Sequence, residues 1–407
     1  MSQYERLEKS RRKHEPSNSG ASRKPPPLPT QRPEWRGPSF QKKPTKTTVR
    51  PPPINSSSIQ LQLLSLDLQQ LLLNIFRTTF PIAQDPEGLK PVLQKVKDAL
   101  FRRDFEKAFG KEEWCEAYAV RWSPSRVLCY SNVLAWLLGK CKEERWVKGF
   151  YQSKQPGDKQ VARVLCLGGG AAEVVAFHSL VRHLHPTSCG KPEGQSIMEE
   201  GLLGVASKDN VVPILKVRLL DAAPWENVVS SLNEILTSPP ALSKYASATA
   251  RANNASFIQP QSVCTEFTKA DIFSLNKESL GSIMGDDPTL ITLFFTLNEL
   301  YTTSLAKTTK FLLELTLATT EGCLLCVIDS VGSYSETVAF AEQHTQSKRY
   351  PMHSLMDHTL LGHKKGKGGL WKKLIVDENR WYRLEESLKY PISLENMRFQ
   401  VHLFKRL

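Results

Sequence analysis

The residues best suited to chemistry stand in one run, Val164-Leu-Cys-Leu-Gly168-Gly169-Gly170-Ala-Ala-Glu173-Val-Val-Ala-Phe177. An apolar strand leads into three glycines and straight into a helix. Glycines allow a tight turn and let a ligand lie against bare backbone. The helix start adds unpaired N–H groups. Two acids complete the pattern. Asp221 ends the next strand, 51 residues after Gly170. Within that gap, 186–212 is rich in Gly, Pro, Ser and charge and reads as a surface insertion of 27 residues, which leaves 24. That is near the spacing of a ribose-binding carboxylate, and loops tolerate long insertions. Asp271 follows the third strand, in Phe267-Thr-Lys-Ala-Asp271-Ile-Phe, a second acid at the strand ends where ligands of such sheets bind. Gly168, Gly169, Gly170, Glu173, Asp221 and Asp271 therefore form a candidate site for an adenosyl cofactor.

A nicotinamide dehydrogenase is the natural competitor. Against it, Glu173 replaces the third glycine of G-x-G-x-x-G, and no second cofactor half or substrate dyad follows. No Gly-Lys-Ser/Thr follows the loop, which excludes a Walker A phosphate site. The order of elements favours an S-adenosylmethionine-dependent methyltransferase. The fourth strand ends in Phe294-Phe-Thr-Leu-Asn298-Glu299-Leu-Tyr301, at the carboxyl end where ligands of such sheets bind. Asn298, Glu299 and Tyr301 are the candidate catalytic residues. The Asp-Pro-Pro-Tyr of exocyclic amine methylation and the Pro-Cys of C5-pyrimidine methylation are both absent. Ring nitrogens, ribose hydroxyls and non-nucleic substrates remain.

The elements that position these residues follow from periodicity. Segments 161–167, 214–220, 262–267, 290–297 and 323–328 read as strands. Helices are read over 171–185, 225–236 and 300–316, and two late strands over 371–377 and 399–405. Alternation of this kind gives right-handed βαβ units. The expected fold is α/β, a Rossmann-like class I methyltransferase with a mainly parallel seven-stranded sheet. Before it, helices are read from Ser58 and Ile59 onward, over 86–101, 105–109 and 111–120, with Ser123 capping 124–138. The expected organisation is a disordered Pro-rich basic tail (1–57), a helical cap region (58–145) and the methyltransferase domain (146–407).

Of the 407 residues, 1–55 carry 13 Lys/Arg against 4 Asp/Glu and 11 of the 26 prolines, and 348–407 carry 13 against 6. Basic ends on a near-neutral body suit a polyanion such as nucleic acid; a solubilising tail and a solvated face are the bland alternative. The cluster Lys9-Ser-Arg11-Arg12-Lys13 fits nuclear import or a phosphate-binding arm. No apolar run spans a bilayer, and the front lacks a secretory h-region. The eight cysteines are scattered, as in a reducing compartment. Cys323-Leu-Leu-Cys326 falls on a strand, where the two side chains face opposite ways. The nine histidines show no ligand spacing, so no metal is expected.

The sequence resembles the fungal large-subunit (25S) rRNA uridine-N3 methyltransferases with a Gly-Gly-Gly-Ala-Ala-Glu loop. The matching stretches include Arg103-Asp-Phe-Glu, Glu116-Ala-Tyr-Ala-Val-Arg121-Trp-Ser-Pro-Ser-Arg126, the loop itself, Thr289-Leu-Ile-Thr-Leu-Phe-Phe-Thr-Leu-Asn-Glu, Asp329-Ser-Val-Gly-Ser-Tyr-Ser-Glu336 and Tyr390-Pro-Ile-Ser-Leu-Glu. They span about 95–407. The resemblance implies S-adenosyl-L-methionine as cofactor and a uridine of rRNA, or of a pre-ribosomal particle, as substrate. It also implies action in the nucleus, in the nucleolus. Cys166 stands where the superfamily commonly has an acid, so contacts to the cofactor's methionine part fall to Glu173 or Arg121. For uridine N3, Glu299 is the candidate base, Asn298 would orient the uracil carbonyl edge, and Tyr301 or Tyr334 would stack. The basic run from His363 to Gly369 reads as an RNA-contacting loop or a solvated linker. A ribosome-assembly factor that binds RNA without catalysis, and a protein or small-molecule methyltransferase, are the alternatives.

Overall fold

The computed structural model describes residues 62–152, 161–185, 213–331, 334–336, 349–362 and 369–407, with the backbone alone at 334–336 and 349. The proline-rich front, the cap read at Ser58, the insertion 186–212 and the basic run 363–368 lie outside the described residues. Residues 57–407 form one compact unit.

Its centre is a seven-stranded sheet. The strands are β1 (Ala162–Leu167), β2 (Leu215–Asp221), β3 (Val263–Lys269), β4 (Thr289–Phe294), β5 (Leu324–Ser330), β8 (Trp371–Tyr382) and β9 (Met397–Arg406), and β6 (Tyr334–Glu336) pairs separately with β7 (Arg349–Pro351). The order is β3-β2-β1-β4-β5-β9-β8. β1 to β5 are parallel, and β9 enters antiparallel to both β5 and β8. This is the expected mainly parallel Rossmann-like α/β sheet with two late strands at its edge. Every residue of β4 is buried, and its only polar side chains are the hydroxyls of Thr289 and Thr292, as suits a central parallel strand covered on both faces.

Helices cover both faces. On one side, Leu66–Thr79, Pro86–Phe101, Glu112–Arg121, Ser123–Lys140, Arg145–Gln152, Ala171–Leu184 and Glu226–Thr237 share a core with Val164, Phe294 and Tyr382. On the other, Lys277–Met284, Leu305–Ala318 and Met352–Leu361 pack on Leu165, Leu293 and Phe404. Asn132 ties the first layer to the sheet. Its Oδ1 accepts from the N–H of Leu63 (2.7 Å) and Leu64 (3.1 Å), and its Nδ2 donates to Tyr382 Oη at 3.2 Å. Tyr382 in turn donates to Gln69 Oε1 at 3.2 Å. Buried amides and hydroxyls of this kind are stabilising only when fully partnered.

Ser123, read as a cap, is instead the first residue of its helix, and Trp122 before it makes no side-chain cap; other boundaries differ from the sequence reading as well. The first described helix begins at Leu66 rather than Ile59, because the Ser65 hydroxyl accepts from Leu68 N–H (3.3 Å) and so caps it there. The fourth strand stops at Phe294, where Phe295 adopts φ 56°, a conformation no strand continues through. The helix read over 300–316 is two, Leu297–Thr303 and Leu305–Ala318, divided at Ser304, whose hydroxyl caps Lys307 N–H (3.3 Å).

The turn after β1 needs its first glycine twice over. Gly168 sits at φ +72°, and a Cβ there would lie 2.3 Å from Thr296 Oγ1 and 2.4 Å from Thr296 Cγ2. Gly168→Ala is therefore expected to destabilise the fold by about 3 kcal/mol, from left-handed strain plus overpacking. The check is the denaturant midpoint; an unchanged midpoint would mean that Thr296 yields freely.

Candidate active site

The carboxyl ends of β1 to β4 open into a cavity of about 730 Å³, a size suited to a nucleoside-bearing ligand. Gly168, Gly170 and Glu173 form its floor, Asp221 and Lys269 stand at the ends of β2 and β3, and Asp271 follows. Phe294, Phe295, Thr296 and Glu299 come from the end of β4, and Tyr118, Ser123 and Arg126 from the helical layer. The segment 103–110 closes the far side through Arg103, Phe105 and Phe109. The bare turn is kept clear by its neighbours, since a Cβ on Gly170 would meet the Trp225 indole at 3.0 Å.

Three of the carboxyls that line this space, Glu173, Asp221 and Glu299, and a fourth nearby, Asp329, are pushed up by burial. Glu173 reaches about 7, although its Oε2 accepts Gly170 N–H (2.9 Å) and so caps its own helix. Asp221 reaches about 6, with hydrogen bonds from Ala223 N–H (2.7 Å) and Trp225 opposing the shift. Glu299 reaches about 8; Arg126 lowers it, while Asp329 and Asp221 raise it. Asp329, buried below, reaches about 6 and accepts the Asn298 N–H at 2.9 Å. Desolvation favours the protonated acid in each case. Arg126 lies over two rings, 5.1 Å from the centroid of Tyr118 and 4.9 Å from that of Phe295, and has no ion pair among the described residues. It is a preformed cation at the β4 side of the cavity.

A bare glycine turn, an acid at the end of β2 and an aromatic wall make a place for an adenosyl group. The comparisons agree. Residues 76–405 match the model of a family described as "Putative SAM-dependent methyltransferase". The chain belongs to this family. The methyltransferase is also 32% identical over 345 residues to the 25S rRNA (uridine(2843)-N(3))-methyltransferase of Saccharomyces cerevisiae, covering 82% of this chain and 85% of that protein. Among solved structures it is similar to an O-methyltransferase family protein from Burkholderia thailandensis (9% identity, 78% of this chain and 70% of that one, TM-score 0.37). It is also similar to an S-adenosylmethionine-dependent methyltransferase from Clostridium acetobutylicum (12% identity, 68% and 99%, TM-score 0.28).

The structure of the methyltransferase brings Gly168, Gly170, Glu173, Asp221, Asp271 and Glu299 to one cavity. Gly169 is beneath, where a Cβ would meet Cys166 Cβ at 2.5 Å. Asn298 and Tyr301 do not line it. Asn298 anchors the turn to Asp329 through its backbone, and Tyr301 is 3% exposed in the core on the opposite face of the sheet. Tyr301 is thus no stacking platform. The reason is helical: residues two apart on a helix point about 200° from each other, so Glu299 and Tyr301 cannot share a cavity. The side chain of Tyr334 lies outside the described residues. Arg121 is not at the cofactor site either; it is buried against Glu395, with which it pairs.

Sequence reasoning did not single out Tyr118, Trp225, Lys269 and Phe295. The signals were present. Trp225 follows Asp221 by four residues, and Arg103-Asp-Phe-Glu was conspicuous only as a matching stretch. Cys323 and Cys326 are both buried, and no group able to hold a metal occurs among the described residues.

Proposed function

We propose that this methyltransferase modifies N3 of a uridine in 25S rRNA. S-adenosylmethionine, when bound, supplies an electrophilic methyl group. The residues fit it: the 168–170 backbone for its central part, Asp221 for the ribose hydroxyls, Asp271 for the adenine amino group, and Arg126 for the carboxylate of its methionine part. Arg126 takes this last role in place of Arg121.

Uridine N3 bears a proton on the Watson–Crick edge, so the base must be unpaired and turned into the cavity. Glu299, in its ionised form, accepts that proton. Phe295 and Phe105 line the cavity and exclude water around the acceptor, and orientation supplies the rest. The observation that carries the reading is the Glu299 carboxyl at the β4 end of the cavity that the glycine turn also lines. The reaction named for the Saccharomyces cerevisiae relative supports the choice of uridine N3. The basic ends of the chain support an RNA partner within a pre-ribosomal particle, and with the Lys9–Lys13 cluster they support action in the nucleus and nucleolus.

Nucleoside mass spectrometry of large-subunit rRNA from cells lacking the gene tests this. Loss of a stoichiometric 3-methyluridine, restored by the wild-type gene and not by Glu299→Gln, is the expected result. Undiminished 3-methyluridine would overturn it. Restoration by Glu299→Gln would remove Glu299 as the base, and restoration by a variant that no longer binds cofactor, Asp221→Ala, would favour an assembly factor that keeps the fold.

A further inference from the structure

The edge strand β8 and its neighbour β9 carry a feature that the methyl-transfer chemistry leaves unused. Trp381 is 40% exposed. Directly across the strand pair, Arg398 is its register partner, with its guanidinium 5.8 Å from the indole centroid; Arg383 lies over the same ring system at 5.1 Å. Arg398 Nε donates to Asn379 Oδ1 at 2.8 Å. Neither guanidinium has an ion pair among the described residues. Their neighbour Arg380 shows the contrasting case. It packs over Trp136 at 4.0 Å and pairs with Asp377 at 3.3 Å, so its charge is already answered.

The register places this group at the cavity's end of the sheet. β8 runs parallel to β5 through their shared antiparallel partner β9. Phe399 of β9 is level with Ser330 at the end of β5, and Trp381 and Arg398 lie one position further out. Phe294, which opens the catalytic segment, is level with Ile328 of the same β5. Three strand spacings, roughly 14 Å, separate the β4 end from the β8 end. The Asn132–Tyr382–Gln69 hydrogen bonds anchor the residue next to Trp381.

An exposed indole with two unanswered guanidiniums suits one chemistry: unstacked bases with their phosphates. Every base offers a π-face to an aromatic ring. An arginine stacked on an aromatic ring keeps donors free for phosphate oxygens. We propose that Trp381, Arg383 and Arg398 form a docking surface for single-stranded RNA beside the methylated base. This rests on the reading of the substrate as RNA. The surface holds the strand a few nucleotides from the target and so favours an unpaired site over a duplex.

The test uses the full chain and a short fluorescent oligouridylate, with affinity read by anisotropy over a salt series. Trp381→Ala is expected to weaken binding about tenfold, and Trp381→Phe to restore most of it. Arg383→Ala with Arg398→Ala is expected to reduce the salt slope by about 1.4, at about 0.7 per phosphate contact on a single strand. Calorimetric binding of S-adenosylhomocysteine unchanged in all three variants shows that the fold and cofactor site are intact. If wild type binds the oligonucleotide and Trp381→Ala binds it as tightly, the docking surface is wrong and the patch serves another partner, such as a protein. If wild type binds no RNA, naked or within isolated pre-ribosomal particles, it is the RNA reading itself that fails.

Discussion

Glu299→Gln is expected to lower kcat by roughly 10² to 10³-fold, the usual worth of a positioned base, while S-adenosylhomocysteine binds as in wild type. Gln keeps the shape of the side chain and removes only its ability to accept the N3 proton. The wild-type pH profile gives a second check. Burial holds the Glu299 carboxyl at about 8, and only the ionised form is a base. The single-turnover rate should therefore rise with pH through about 8 and level off above it, and the Gln variant should lose this limb. Stability runs the opposite way. The folded carboxyl lies above its ordinary 4.5, so between the two values the folded state keeps a proton that the unfolded chain has released. Stability from this group is full below about 4.5 and is lost as pH rises toward 8. Thermal midpoints of wild type should fall over this window more than those of Glu299→Gln. A flat rate profile in wild type would remove Glu299 as the base.

The strands were legible because the central parallel strands are short, mostly apolar runs between turn residues. β1 and β2 fall within one residue of their expected bounds, and the glycine turn and both following acids reach one cavity. What was hidden depended on direction. Asn298, Glu299 and Tyr301 are sequence neighbours, yet the helix from Leu297 to Thr303 sends the tyrosine into the core and leaves the glutamate at the cavity. A helix start cannot be told from a strand end by apolar content alone, and only Phe295 at φ 56° separates them.

The same holds for the arginines of Arg121-Trp-Ser-Pro-Ser-Arg126. The helix Glu112–Arg121 ends and Ser123–Lys140 begins inside this stretch. Arg121 therefore belongs to one helix and Arg126 to the first turns of the next. The first turns toward Glu395, beyond the reach of any local pattern at 274 residues' separation. The second turns into the cavity between Tyr118 and Phe295. The helical layer thus does more than cover the sheet: it supplies the cation that the strand ends lack on the β4 side.

Asp221→Asn is the sharpest probe of the cofactor reading. Asn retains an oxygen able to accept the Ala223 N–H that now holds Asp221 Oδ1 at 2.7 Å, so the turn should survive. What is lost is the negative charge facing the ribose hydroxyls. Hydrogen bonds to a charged group are worth about 2 kcal/mol, so the Kd for S-adenosylhomocysteine should rise about 30-fold by calorimetry. Asp271→Asn should cost less, because Asp271 is exposed and its Oδ1 is already engaged by Phe273 N–H at 2.9 Å. Burial places the Asp221 carboxyl at about 6, so wild-type affinity should weaken as pH falls through that value, with the Asn variant insensitive over the same range. Unaltered affinity in Asp221→Asn would place the ribose elsewhere. The spacing argument that joined Asp221 to the glycine turn across the 186–212 insertion would then lose its physical basis, since that argument needs both to grip one ligand.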